Sequence, residues 1–346
     1  MKLLIITQKI DKEDPILGFF HNWVLALAKK FEKVSVICLE KGSFDLPSNV
    51  RVYSLGKEAG RSKIKYVKNF INLILGLHKE YDSVLVHMNQ EYILLGGFIW
   101  KILRKKVYFW RNHEQGNLLT TIAVALSNKV FCTSKFSYTA KYKKTILMPV
   151  GIDTDKFSIS NFQFSNKKNK ILFLSRMSPI KKPDLLIDAL DLLNKKNIDF
   201  SCDFYGDALP KDENYYNALK NKVKEFGLES KVNFCKSVPN YQSPKIYNEH
   251  NIFINLTPSG SFDKTILEAI ACGCLLVIAN QSLIGEIDSR MIVENANLND
   301  IAEKIIFGLN MNNEERAIAS EKLQKYVLEN HSLNALIDKL YEQILR

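Results

Sequence analysis

Glu268 is a carboxylate whose setting asks for a chemical explanation. It lies in "SGSFDKTILEAIACG" (259–273), where a polar, glycine-bearing turn runs into a short apolar helix. Asp263 is placed as the N-cap of that helix and Cys272–Gly273 as its stop, so flexible backbone precedes a helix N-terminus. Unpaired N–H groups at such a terminus attract anions. Lys264 and Glu268 stand four residues apart on one face. The residues alone therefore leave Glu268 open between a surface ion pair, worth roughly a few tenths of a kcal/mol, and a ligand contact. A second cluster follows the run "KILFLS": Arg176 and Lys181 stand in "RMSPIKKPDLLIDAL", ahead of another helix. Cations and helix N–H groups there can meet a phosphate, although position alone favours a solvated turn.

These residues follow strand-like runs, and the runs set the fold class. "LLIIT", "VSVICL", "SVLVH", "VYFW", "KVFCT" and "TILMP" alternate with helix-length segments such as 19–31 and 92–103. The rhythm resumes with "KILFLS", "DFSCDFYG", "KVNFC", "NIFINL" and "CLLVIA", separated by helical patterns at 184–194, 214–226, 243–249 and 264–271. Such alternation predicts βαβ units on parallel sheets, hence an α/β protein of two doubly wound domains. Residues 1–160 form the first and 161–329 the second, with the boundary in the polar tract 159–170, "ISNFQFSNKKNK". Ligands of open α/β sheets bind beyond the carboxyl ends of the strands. The two domains are expected to face each other across a cleft.

Composition narrows the partners. The 346 residues carry a net charge of +11, and residues 1–160 hold 25 Lys+Arg against 13 Asp+Glu. That is a balance of +12, leaving −1 for the remainder. The excess concentrates in Lys101–Val150 and in "GRSKIKYVKNFINLILGLHK", where basic residues precede an apolar helical pattern. Such a segment suits an anionic membrane surface or another anionic partner; the plain alternative is a solvated basic face. A nucleic-acid binder would rest on charge alone, without a stacking or recognition motif, and is not expected. The apolar run in "MKLLIITQK" is too short for a signal-peptide core and no run reaches the roughly 18 residues of a membrane span. A cytoplasmic protein, peripheral on the inner face of the membrane, is the expectation. Cys38, Cys132, Cys202, Cys235, Cys272 and Cys274 form no CxxC pair and read as small apolar side chains. GxGxxG after a strand, GxxxxGK[ST] and HExxH are absent, and Asp153–Asp155, "DTD", reads as a turn rather than a metal motif.

Taken in order, five segments carry a family resemblance. "PVGIDTDKF" resembles "NGVDxxxF", "FLSRMSPIKKPDLLIDAL" resembles "GRLxxxKGxxxLIxAL", and "FYGD" resembles "xxGxG". "GLESKVNFCKSV" and "LEAIACG" resemble "GLxxxVxFxGxV" and "LEAMACG". Together they resemble the family 4 glycosyltransferases of the GT-B fold, the glycosyl transferases group 1. The resemblance implies two Rossmann-like domains, a C-terminal helix (about 330–346) returning to the first, acceptor-binding one, and a nucleotide-sugar donor held mainly by the second. It implies that Arg176 and Lys181 neutralise the donor diphosphate and that Glu268 accepts from the ribose hydroxyls. Val238 would meet the base, and Gly18 would let backbone approach donor or acceptor. Gly260, Ser261, Phe262, Asp263, Lys264 and Thr265 would line the donor at the helix N-terminus. His113 would sit near the transferred sugar, the alternative being a satisfied surface histidine. No cofactor or metal is expected, and the route is expected to retain the anomeric configuration.

One departure stands out. The family pattern has two glutamates in a Glu-x7-Glu spacing, and the first falls on Gly260. The backbone of Ser259, Ser261 and Phe262, or in part Asp263, would have to replace it. The expected activity is sugar transfer from a nucleoside-diphosphate sugar to a lipid-linked or envelope-glycan acceptor. The alternative is a degenerate protein of the same fold that binds nucleotide or glycan without turnover.

Overall fold

In the computed structural model the described residues are 1–60, 62–158, 169–259, 262–294 and 297–346. The chain divides into two compact units, Met1–Gly151 with Leu333–Arg346, and Ile152–Ser259 with Asp263–Ser332. Most of the expected boundary tract, residues 159–168, lies outside the described residues.

The first unit runs β1 (Lys2–Ile10), α1 (Phe19–Ala28), β2 (Lys33–Lys41), β3 (Val50–Ser54), α2 (Lys63–Gly76), β4 (Ser83–His87) and α3 (Glu91–Ile102). It continues with β5 (Lys106–Trp110), α4 (Leu118–Leu126), β6 (Lys129–Cys132) and β7 (Thr145–Leu147). The seven strands pair in parallel in the order β3-β2-β1-β4-β5-β6-β7. Because strand side chains alternate between faces, β1 divides its apolar run between two cores. Leu3 and Ile5 join Phe20, Trp23 and Leu27 of α1 on one face. Leu4 and Ile6 join Phe70, Ile74, Ile93, Trp100 and Val124 on the other, under α2, α3 and α4.

The second unit runs β8 (Lys170–Leu174), α5 (Pro183–Lys195), β9 (Ser201–Tyr205), α6 (Glu213–Glu225), β10 (Val232–Cys235) and α7 (Ser243–Asn248). There follow β11 (Ile252–Asn255), α8 (Lys264–Ala271), β12 (Leu275–Ile278), α9 (Leu298–Asn310) and α10 (Asn313–His331). Its five strands are parallel in the order β10-β9-β8-β11-β12, so the chain reverses direction across the sheet between β8 and β11. The loops that leave those two strands are the natural ligand-binding position of such a sheet.

The last helix, α11 (Leu333–Leu345), belongs to the first unit. It buries Leu336, Ile337, Leu340 and Ile344 in the core that holds α1, and the Ile344 carbonyl accepts from the Tyr108 hydroxyl at 2.9 Å. Leu340→Ala is expected to destabilise that unit by about 3 kcal/mol, since a fully buried leucine loses both its transfer energy and its packing. Denaturant unfolding followed by tryptophan fluorescence measures it, Trp23 and Trp110 lying in the same core.

All six cysteines are free, and all but the half-buried Cys235 are buried. No described helix is long and apolar enough to cross a membrane.

Candidate active site

In the second unit, the chain leaves β8 through Ser175 and Arg176. The Ser175 N–H still bonds the Tyr205 carbonyl (3.0 Å), and the Met177 N–H bonds that of Asp207 (3.1 Å). Gly206 makes this possible. Its φ is +145°, and a Cβ there would stand 1.9 Å from the Ser175 carbonyl oxygen. Arg176 is exposed, and among the described residues no ion pair or side-chain hydrogen bond engages it. Pro179–Lys181 is one 3-10 turn, closed by Lys182 in the left-handed region (φ 53°), and Pro183 starts α5.

That turn carries Lys181 across to the connection leaving β11. Its ammonium lies 2.6 Å from Asp263 Oδ2 and 3.1 Å from Thr257 Oγ1. The side chains are 16% and 13% exposed, so the pair is largely out of water. Burial alone would raise the Asp263 carboxyl, but the Lys181 charge more than reverses this and holds it well below the usual carboxylate range. Asp263 also caps α8, accepting at Oδ1 from the Thr265 hydroxyl (2.9 Å) and N–H (3.4 Å), while Thr257 donates to Oδ2 (3.3 Å). Two donors on each oxygen fill its accepting capacity. Asp263 is therefore not available to replace the glutamate that Gly260 lacks. Lys181, with two of its three N–H groups engaged, keeps one for a ligand oxygen.

Glu268, one turn into α8, is 2% exposed, which removes the surface ion pair as its explanation. Oε1 accepts from Asn240 Nδ2 (3.0 Å) and Oε2 from the Tyr247 hydroxyl (3.3 Å). Burial raises its carboxyl, against the opposing charge of Lys264. Burial in turn lowers Lys264 to about 8, countered by Glu268 and Asp153. Asp153 does form a turn, with its carbonyl accepting from the Lys156 and Phe157 N–H groups (3.0 and 2.9 Å). It contributes as well to the field at Lys264.

The remaining candidates are placed as follows. Thr265 belongs to the Asp263 cap, Phe262 is buried, and Val238 is half-buried beside Asn240, in the connection after β10. Gly260 and Ser261 lie outside the described residues, while Ser259 Oγ before them accepts from the Gln281 N–H (2.8 Å). In the first unit, Gly18 precedes α1 at the switch between β1 and β4. A Cβ on Gly18 would stand 2.5 Å from the Asp14 carbonyl oxygen, so its own loop already requires glycine. His113 is exposed in the connection after β5. Its Nδ1 accepts from the Gln115 N–H (2.9 Å), which leaves Nε2–H as the outward donor of the neutral ring. The Tyr138 N–H holds its carbonyl at 2.8 Å.

The second unit thus gathers Arg176, Lys181, Asp263, Lys264, Thr265 and Glu268 on loops and helix starts at its switch point. Asn240, Tyr247 and Thr257 were not singled out from the sequence. Asn240 and Thr257 do follow strands, which is the signal that could have found them; Tyr247 reaches Glu268 from within α7 and carries none.

Residues 155–326 match the family model described as glycosyl transferases group 1. Among curated proteins, the mannosylfructose-phosphate synthase of Agrobacterium fabrum is 28% identical over 152 residues, 41% of this chain and 34% of that protein. The poly(ribitol-phosphate) alpha-N-acetylglucosaminyltransferase of Staphylococcus aureus is 24% identical over 196 residues, 53% of this chain and 38% of that one. The matches thus span little more than a third of either relative. Among solved structures, Anabaena HepE in complex with UDP has a TM-score of 0.80 at 18% identity, covering all of both chains. A glycosyltransferase from Rickettsia africae has a TM-score of 0.76 at 18% identity, covering all of this chain and 99% of that one. At these identities the likeness is one of fold.

Proposed function

We propose, on the premise that residues 155–326 belong to the glycosyl transferases group 1, that this protein moves a sugar from a nucleoside-diphosphate sugar to a glycan or lipid-linked envelope acceptor. The carrying observation is the meeting of Arg176, Lys181, the N-terminus of α8 and the buried Glu268 at the β8/β11 switch point. As the sugar departs, negative charge grows on the diphosphate. Arg176 and the remaining Lys181 N–H supply positive charge that would stabilise it, which is the effect transfer needs most. Glu268 accepts from the ribose hydroxyls, and the Asn240 and Tyr247 donors hold its oxygens in place. Leaving-group charge is met by protein cations, so the reading is metal-independent. Transfer goes with retention, the departing phosphate assisting removal of the acceptor proton on the same face.

UDP is the first nucleotide to test, since HepE was crystallised with UDP and with UDP-glucose. The excess positive charge of the first half and the poly(ribitol-phosphate) transferase among the relatives support an anionic acceptor. A thermal-shift screen of UDP, GDP and their sugars tests the reading, because a ligand of the native state raises its melting point. One nucleotide series is expected to raise it. Arg176→Ala should weaken that binding about tenfold, the scale of one charge-assisted hydrogen bond, without lowering the ligand-free melting point. No response to any nucleotide would refute the proposal.

A further inference from the structure

We propose that the outer face of α2, α3 and α4 docks on an anionic lipid bilayer. Each helix already buries one side against the sheet, through Phe70 and Ile74, Ile93 and Trp100, and Val124 respectively. A surface helix ordinarily turns polar residues outward from such a seam. These three instead repeat apolar residues at helical spacing on the outside: Ile64 and Val67, Phe98 and Ile102, Leu118 and Ile122. Ile64 is 84% exposed, Phe98 68%, Ile102 69% and Leu118 75%. Among the described residues, nine of the 21 exposed large apolar side chains sit on these helices, so the exposure is concentrated rather than scattered. α2 packs beside α3 and α3 beside α4, so the stripes are carried by neighbouring helices.

Charge selects the occupant. Lys63, Lys65, Lys68 and Lys101 lie on these helices with one acid, Glu91, and Arg104 follows α3, while Lys105 and Lys106 beyond it are engaged by the Tyr81 and Arg346 carbonyls. A second copy of the chain would set this positive face against itself. An acidic soluble partner would satisfy the lysines and leave the apolar stripes in water. A bilayer with anionic headgroups answers both, taking the apolar side chains into the acyl boundary while lysines extend to the phosphates.

The inference is independent of the transfer reaction, so vesicle binding and nucleotide binding are read separately. The protein is sedimented with vesicles of phosphatidylcholine alone and with added phosphatidylglycerol. Binding is expected only to the anionic vesicles, weakening as salt rises. The double variant Phe98→Ser/Ile102→Ser should lower the partition coefficient at least about tenfold with an unchanged melting point and an unchanged nucleotide response. Ile64→Ser, at the most solvent-exposed of these positions, gives a second reading should the double variant fold poorly. Absence of binding, equal binding to both vesicles, or wild-type binding by the variants overturns the proposal. So does a dimer in sedimentation velocity that the variants convert to monomer, which would make this face a contact between copies.

Discussion

Lys181→Ala is expected to cost the second unit about 3 kcal/mol and to reduce sugar transfer at least about 100-fold. The two losses have different origins. Stability falls because Asp263, only 13% exposed at its side chain, keeps its charge while losing its cation at 2.6 Å. Breaking a buried pair from one side costs roughly 3–5 kcal/mol, and the Thr257 and Thr265 hydroxyls that still reach Asp263 place this case at the low end. Transfer falls because the leaving diphosphate loses a fixed cation. Lys181→Met/Asp263→Asn separates them: no buried charge is left unpaired, and an asparagine oxygen still caps Thr265. Urea unfolding of the double variant should recover most of the loss, with transfer as low as in Lys181→Ala. Recovery of both would make the lysine a structural partner only. The pH dependence carries the same signature. With its carboxyl depressed in the folded state, Asp263 contributes stability above the unfolded value of about 3.9, and that contribution is lost as pH falls. Asp263→Asn should remove this acid-sensitive component.

Eleven of the twelve described strands and most helices were legible because buried parallel strands read as unbroken apolar runs and half-buried helices as a 3.6-residue period; β3, "VRVYS", a partly exposed edge strand, was missed, and the order of strands within each sheet was not read. Lys264–Ala271 falls where its cap and stop residues place it. α4 escaped attention for a physical reason: "LLTTIAVAL" is apolar nearly all round, so it offers no polar face from which to count a period. Residue types also marked where to look for a site, since Arg176, Lys181 and Glu268 all follow strands. The state of those side chains was not legible. An i, i+4 lysine and glutamate has the same spacing on a surface as in an interior, and only packing reveals that Glu268 is 2% exposed. Lys181 and Asp263 are 82 residues apart in sequence, so nothing local announces that the expected phosphate cation is already shared with a carboxylate. The same contact decides a question left open at Gly260. Asp263 spends its acceptor sites on Lys181, Thr257 and Thr265, so in the proposed reaction the donor sugar would be held by other groups.

Glu268→Gln should weaken nucleotide binding by about 10- to 100-fold near neutral pH while leaving the fold as stable as before or more so. The buried carboxylate is costly in the ligand-free protein. Its pKa lies above the unfolded value, so the folded state holds this proton more tightly than the unfolded one. Glu268 therefore favours folding below the unfolded pKa of about 4.3, and that contribution is lost as pH rises through the folded one. Glutamine fits the same space, can accept from Asn240 and donate to Tyr247, and removes the ionised form altogether. Binding has the opposite sign. Two ribose hydroxyls donating to the carboxylate favour its ionised form, so nucleotide binding to the protonated protein must release a proton. Affinity should then rise with pH through the Glu268 titration and level off above it. Calorimetry of UDP binding across that range, in buffers of different ionisation enthalpy, reads the affinity and the released proton together. In Glu268→Gln both the slope and the proton release should disappear. A variant that binds UDP as tightly as the wild type, with the same pH profile, would show that Glu268 serves the packing of α7 against α8 and not the ribose.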